Sequence, residues 1–196
     1  MLSIIKYNAG NIQSVLNALE RLGVAAEVTG DIEKIRASEK VIFPGVGEAS
    51  SAMKSLKENN LDRVIRELKQ PVLGICVGMQ LLCEHSEEND TDCIGILPIK
   101  VKKFKLPDQS YKVPQVGWNT IYDLESDLFK GIENNSYIYN VHSYYAEDSE
   151  YTIAHCDYGL EYAAAIHKDN FYGVQFHTEK SAETGDRIIR NFLAMK

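Results

Sequence analysis

PVLGICVGMQLL, residues 71–82, is the stretch on which the reading of this chain turns. Pro71 to Cys76 is a short apolar run, with the length and composition of a strand buried on both faces. From Val77 onward the pattern is helical. At the junction Cys76 lies between Gly74 and Gly78, in the cysteine version of the G-x-S-x-G elbow. A sharp strand-to-helix turn exposes the side chain at its apex, and flanking glycines remove side chains that would collide there. The start of the following helix favours thiolate over thiol. The backbone N–H of Val77 is placed to donate to a developing oxyanion. The same five residues also suit a cysteine buried as a small hydrophobe, so the rest of the chain must separate the two readings. Cys83, Cys93 and Cys156 lack such a context and read as core.

Toward the N-terminus, apolar runs and helical spacings alternate. LSIIK (2–6) reads as a strand and is followed by a turn-like Tyr7-Asn8-Ala9-Gly10-Asn11. Ile12, Val15, Leu16, Leu19 and Leu22 recur every three or four residues, which predicts a helix over 11–22. A strand at 24–28, a polar stretch, a strand at KVIFPG (40–45), and one or two helices over 48–69 follow, with a further helix over 77–86. Strands alternating with helices predict parallel βαβ units.

Past residue 93 the texture changes to short β-like runs, among them KVPQVGWNTIY, YIYNVHSYYA, YAAAIHK and FYGVQFH. Turn signals at Pro107-Asp108, Glu133-Asn134-Asn135 and Lys168-Asp169-Asn170 separate them. Ile188, Ile189, Phe192 and Leu193 predict a closing helix over 183–195. No repeat or linker interrupts the pattern. The expectation is one α/β domain over residues 1–196, with a central mixed, mostly parallel sheet and helices on both faces.

Composition narrows the function classes. A chain of 196 residues, 44% hydrophobic and 25% charged, can bury a core without disulfides or metals. A net charge of −7 repels phosphate backbones, so no nucleic-acid partner is expected. The opening MLSIIKYNAGN lacks the regions of a signal peptide, and no run is long enough to span a bilayer. A cytoplasmic, reduced protein with no membrane contact is the expectation. There a lone cysteine serves as a nucleophile more readily than as half of a disulfide. No Cys-x-x-Cys pair is present, and neither a metal site nor a cofactor is expected.

Two further stretches supply what a thiolate nucleophile needs. Phe43-Pro44-Gly45-Val46-Gly47 ends the strand before the elbow. If the two strands are neighbours, this loop faces Cys76, and the Val46–Gly47 backbone completes an oxyanion hole. It is neither GxGxxG nor a P-loop, so it is not a nucleotide fingerprint. Of the five histidines, His177 ends the apolar strand Val174-Gln175-Phe176 and is followed by Thr178-Glu179. A strand end is where catalytic groups gather in parallel sheets. Glu179, two residues on, can orient the imidazole and stabilise its charged form.

Together PGVG (44–47), GICVGMQLL (74–82) and QFHTEKS (175–181) resemble the class I, or triad, glutamine amidotransferases. Asn8-Ala9-Gly10-Asn11, VPQVGWN (113–119) and VHSYY (141–145) are similar to the glutaminase subunits of imidazole glycerol phosphate synthases within that family. The resemblance spans nearly the whole chain. It implies that Cys76 attacks the side-chain amide of glutamine, that His177 relays the proton, and that Glu179 orients His177. It implies an oxyanion hole of Val46, Gly47 and Val77, and a glutamine pocket of Gln80, Glu88, Ser143 and Tyr144. It also implies a heterodimer with a (βα)8-barrel cyclase subunit, which receives the ammonia and forms imidazole glycerol phosphate in histidine biosynthesis. Asn11, Trp118, Tyr139 and Lys180 match family positions facing that subunit. On the residues alone, Trp118 serves equally as a core aromatic.

The chain departs from the family pattern at three places. Thr178 replaces the usual Pro between histidine and glutamate, Val77 the usual Leu, and Asn140 a frequent aromatic. Alternative readings are a glutaminase of another synthase, for surface-sugar amination or pyridoxal phosphate synthesis, and a stand-alone cysteine hydrolase. The stand-alone enzyme would be active alone. A glutaminase paired with a cyclase is expected to be nearly inactive until its partner and nucleotide bind.

Overall fold

The computed structural model describes residues 1–8, 11–107 and 110–195. Ala9 and Gly10 of the early turn, and Asp108 of the Pro107-Asp108 turn, lie outside them. The first part of the chain alternates as expected: β1 (Leu2–Ile5), α1 (Ile12–Arg21), β2 (Ala26–Thr29), α2 (Ile32–Arg36), β3 (Lys40–Gly45), α3 (Ala49–Glu58), α4 (Leu61–Glu67), β4 (Val72–Cys76) and α5 (Val77–Leu82). The remainder is largely strand: β5 (His85–Ser86), β6 (Thr91–Asp92), β7 (Lys100–Lys103), β8 (Gln115–Ile121), β9 (Ser136–His142), β10 (Tyr144–Ala146), β11 (Thr152–Asp157), β12 (Glu161–Lys168) and β13 (Phe171–Val174). A 3-10 turn (Thr178–Lys180) and α6 (Ala182–Ala194) close the chain.

The main sheet is mixed. Its order is β2-β1-β3-β4-β13-β12-β10-β7-β5-β6, with β11 also on β12. From β2 to β13 the strands run parallel. From β13 to β12, β10 and β7 the pairings are antiparallel. β1 and β4 are buried along their whole length, which is why they read as unbroken apolar runs. The chain steps one way from β1 to β2 and the other way from β2 through β3 to β4. Right-handed crossovers therefore put α1 on one face, and α2 to α4 on the other. β8 and β9 form a separate two-stranded sheet.

Two predictions are corrected. The polar stretch after β2 contains α2, whose first turn is capped by the Asp31 carboxylate accepting from the N–H groups of Glu33 (2.9 Å) and Lys34 (3.2 Å). The helix expected over 77–86 stops at Leu82, and His85–Ser86 form β5, which pairs with β7 on one side and with the edge strand β6 on the other. Of the one or two helices expected over 48–69, two form, and the break between α3 and α4 includes Asn60, which adopts the left-handed conformation at φ 56°.

Candidate active site

The register of three neighbouring strands assembles the site. β3 pairs with β4 so that Pro44 lies opposite Ile75 and Gly45 opposite Cys76. β13 flanks β4 on its other side, with Val174 opposite Ile75. The loop after β3, the elbow after β4 and the segment after β13 thus leave from one carboxyl edge, where doubly wound sheets place their ligands.

At the elbow Cys76 has φ 54° and ψ −113°, a strained conformation for a residue with a Cβ. Close packing holds it. A Cβ on Gly74 would lie 2.9 Å from the backbone of Gly78 and Met79. One on Gly78 would overlap the Phe43 carbonyl, and one on Gly45 would run into Val77 and Gly78. The three glycines let α5 sit directly on β3 and β4, and the chain turns between them with Cys76 at the apex. Val77 N–H stands in the first turn of α5, where helical donors have no intrahelical partner. Tyr7, buried beneath the neighbouring loop, donates its hydroxyl to the Pro44 carbonyl at 2.7 Å and anchors the start of the Val46–Gly47 loop. Gly47 itself has φ +94°, which favours glycine there.

His177 and Glu179, the expected base and its orienter, stand side by side. Glu179 Oε1 lies 2.7 Å from His177 Nδ1, and their side chains are only 1% and 5% exposed. Burial alone would lower the imidazole's pKa. Hydrogen bonds with Cys76 and Glu179, and the negative charge of both, outweigh it and push His177 up to about 10. These partners favour the charged imidazolium of His177, whose proton then stands beside Cys76. His142, at the end of β9, is driven the other way. Burial pulls it down to about 4, against a hydrogen bond from Nδ1 to the Tyr144 carbonyl at 2.8 Å. Its environment separates it from His177: burial favours the neutral ring, which buttresses the pocket wall.

A cavity of about 230 Å³ opens over the thiol. Val46, Gly47, Cys76, Val77 and His177 line it at the reacting end. Gln80, Glu88, Ser143 and Tyr144 line it at the other. All of the expected catalytic, oxyanion and substrate residues meet there except Glu179, which stands behind His177. The Tyr144 carbonyl is held twice, by His142 and by Gln80 Nε2 at 2.9 Å. Gln80 therefore shapes this wall as well as lining the pocket. The Glu88 carboxylate accepts from the Ala49 N–H at 2.7 Å, and burial raises its pKa. Among the described residues no group of three His, Cys, Asp or Glu stands together as a metal site.

Three groups escaped the reading of the sequence: Tyr7, His142 as a buttress, and Gln175, whose Nε2 reaches Cys76 Sγ at 3.8 Å. Gln175 belongs to the QFHTEKS motif, which was the available signal. Two departures from the family pattern have a structural consequence. The Asn140 carboxamide, the Thr178 hydroxyl and Glu179 Oε2 are buried without hydrogen-bond partners among the described residues.

The residues expected at a partner face lie outside the cavity. β8 and β9 pair with Val116 opposite Val141 and Trp118 opposite Tyr139. Trp118 is 54% exposed, which removes the core-aromatic reading. Its ring meets that of Tyr139 edge-on at 5.5 Å, and Lys180 Nζ lies 5.9 Å above the Tyr139 ring. Val116 (59%) and Tyr137 (64%) extend this apolar surface. Asn11, half-buried at the start of α1, accepts a hydrogen bond from the Ser14 hydroxyl at 2.6 Å. Among the described residues no helix is long and apolar enough to cross a membrane.

A parallel-sheet elbow with a cysteine, a buried His–Glu pair and a small cavity over the thiol fit a thiol amidotransferase, and sequence comparison places the chain in such a family. Residues 3–195 match the profile of the family described as glutamine amidotransferase class-I, and the chain belongs to that family. It is 58% identical over 193 residues to the imidazole glycerol phosphate synthase subunit HisH of Bacteroides fragilis strain YCH46, covering 98% of each chain. It is 52% identical over 191 residues to the protein of the same name from Bacteroides thetaiotaomicron, covering 97% of each. Among solved structures, one described as a glutamine amidotransferase superposes with a TM-score of 0.75 at 18% identity, over 98% of this chain and 96% of the other. A glutamine amidotransferase from Thermotoga maritima gives 0.65 at 18% identity, over 98% and 81%. At such identities the likeness is one of fold.

Proposed function

We propose that this chain, as one glutamine amidotransferase domain over residues 1–196, is the glutaminase subunit of an imidazole glycerol phosphate synthase. Relatives of that name at 58% identity over nearly the whole chain support the assignment. The observation that carries the chemistry is the convergence of Cys76, His177 and the oxyanion loop on one cavity, with Glu179 directly behind the histidine.

In the proposed reaction the Cys76 thiolate attacks the side-chain amide carbon of glutamine. The tetrahedral oxyanion is met by the N–H of Val77 and the Val46–Gly47 backbone. His177, held charged, delivers its proton to the departing nitrogen. The C–N bond breaks, ammonia leaves, and a γ-glutamyl thioester remains on Cys76. Neutral His177 then takes a proton from water, which attacks the thioester and releases glutamate and the thiol. Glu179 keeps the ring oriented and stabilises its charge through both halves. Glu88, with the backbone at Ser143 and Tyr144, receives the amino-acid end of the substrate.

The names of the relatives imply a second subunit. A (βα)8-barrel cyclase is its proposed identity, and the β8–β9 face with Trp118, Tyr139 and Lys180, together with Asn11, is the proposed contact. An exposed aromatic patch rimmed by a cation is the composition of a protein interface. The site chemistry is tested by acid-quenched mass spectrometry after incubation with glutamine and the barrel subunit. A γ-glutamyl adduct on the Cys76 peptide is expected. Glutamate release that survives Cys76→Ala would overturn the reading.

A further inference from the structure

Gln175 has no part in the steps above, yet it touches the nucleophile. It directly follows β13, is fully buried, and is pinned by its backbone N–H to the Ala164 carbonyl at 2.8 Å. Its Nε2 points at Cys76 Sγ at 3.8 Å, within reach of a sulfur acceptor, and its Oε1 lies 2.9 Å from Gln80 Nε2.

The two ends of an amide look alike, so its orientation has to be argued from its partners. Here the partners allow one answer. Gln80 Nε2 lies 2.9 Å from the Tyr144 carbonyl, which can only accept, so the Gln80 amide nitrogen must face that way. Its second N–H then points to Gln175, which must present oxygen to it. The nitrogen of Gln175 is left facing the sulfur. A flipped Gln175 would set two donors against each other at one end and oxygen against a thiolate at the other. The pocket wall thus orients a donor on the nucleophile through Tyr144, Gln80 and Gln175, of which the two glutamines are buried.

We propose that Gln175 is a positioning residue that holds the Cys76 sulfur and favours its thiolate, and that Gln80 sets the direction of that donor. A hydrogen bond to the charged form of a group stabilises that form, the more so where water is excluded. The inference rests on Cys76 being the nucleophile, and it explains how the glutamine pocket and the thiol are linked through side chains alone.

The test is the pH dependence of Cys76 alkylation by iodoacetamide in the full chain, read by mass spectrometry on the Cys76 peptide. Only the thiolate reacts. Background from other cysteines is separable, because burial pushes Cys93 up to about 12 and Cys156 up to about 11, and raises Cys83 as well. Gln175→Glu keeps an oxygen for Gln80 and removes the N–H facing sulfur. Gln175→Met, of similar length, removes both ends without adding a buried charge. In both variants the alkylation midpoint is expected to move up by about one pH unit, a tenfold change in the thiolate-to-thiol ratio. Gln80→Leu should move it the same way by less, since the amide then loses its orientation but not its place. A folded Gln175→Met chain with an unchanged midpoint would overturn the proposal, as would a downward shift. Failure of the nucleophile reading shows itself separately, as glutamate release that survives Cys76→Ala whatever the alkylation midpoint does.

Discussion

The carboxyl edge of β3, β4 and β13 and the outer face of the β8–β9 pair are built on opposite terms. At the sheet edge every position is over-determined. Three glycines fit where a Cβ would collide, Cys76 is forced to a positive φ, and His177 and Glu179 are buried against each other. On the hairpin, Val116, Trp118 and Tyr137 stand in solvent with more than half their surface uncovered. The first region holds the residues proposed for the chemistry. The second is an apolar face left exposed among the described residues, and it is the proposed contact with another subunit. The two meet at β9, which presents Tyr137 to solvent while its Val141 carbonyl lies 3.8 Å from Cys76 Sγ.

Substitutions on either side should separate these roles. The largest effect belongs to the buried pair. Glu179→Gln is expected to cut kcat by about a hundred- to ten-thousandfold with little change in KM, because it removes the charge behind the imidazole and leaves the pocket intact. Steady-state glutamate release in the presence of the partner measures it. Gly78→Ala strikes the scaffold instead. Its new methyl meets the Phe43 carbonyl, and urea denaturation should show a loss of about 1–3 kcal/mol or more.

Trp118→Ala should do the reverse of both. The isolated chain is expected to keep its stability to within about 0.5 kcal/mol, while affinity for the proposed barrel subunit, read by calorimetry, falls by about 2 kcal/mol. Equal affinity would remove the hairpin from the interface. The smallest change is expected at Asn140, buried on β9 with its carboxamide unpaired. Asn140→Leu should raise the unfolding free energy by about 1 kcal/mol, since an apolar group of similar size has no hydrogen bond to lose.

The sheet-edge region was legible because its constraints are local in sequence. GICVG, PGVG and QFH each state a strand end and its turn within a few residues, and strand neighbours follow from βαβ winding. The placement of the Val46–Gly47 loop beside Cys76 and of Glu179 behind His177 needed nothing more. What escaped depends on contacts between distant segments. Gln175 is a motif letter until Gln80, 95 residues away, is seen to orient it. His142 and His177 look alike on paper, and only burial and partners send one down to about 4 and the other up to about 10. Trp118 was undecidable because strand alternation does not say which face of an isolated two-stranded sheet is covered. α2 was hidden by its polar surface, although Asp31 offered a capping signal.

The central claim is that a complete thiol site on one edge works under the control of a partner on the other face. Glutamate release from glutamine by the isolated chain, compared with release in the presence of the barrel subunit with its nucleotide ligand, tests it most directly. The account predicts slow turnover alone and stimulation of about a hundredfold or more in the complex, all of it lost in Cys76→Ala. An isolated chain that hydrolyses glutamine as fast as the complex would contradict it.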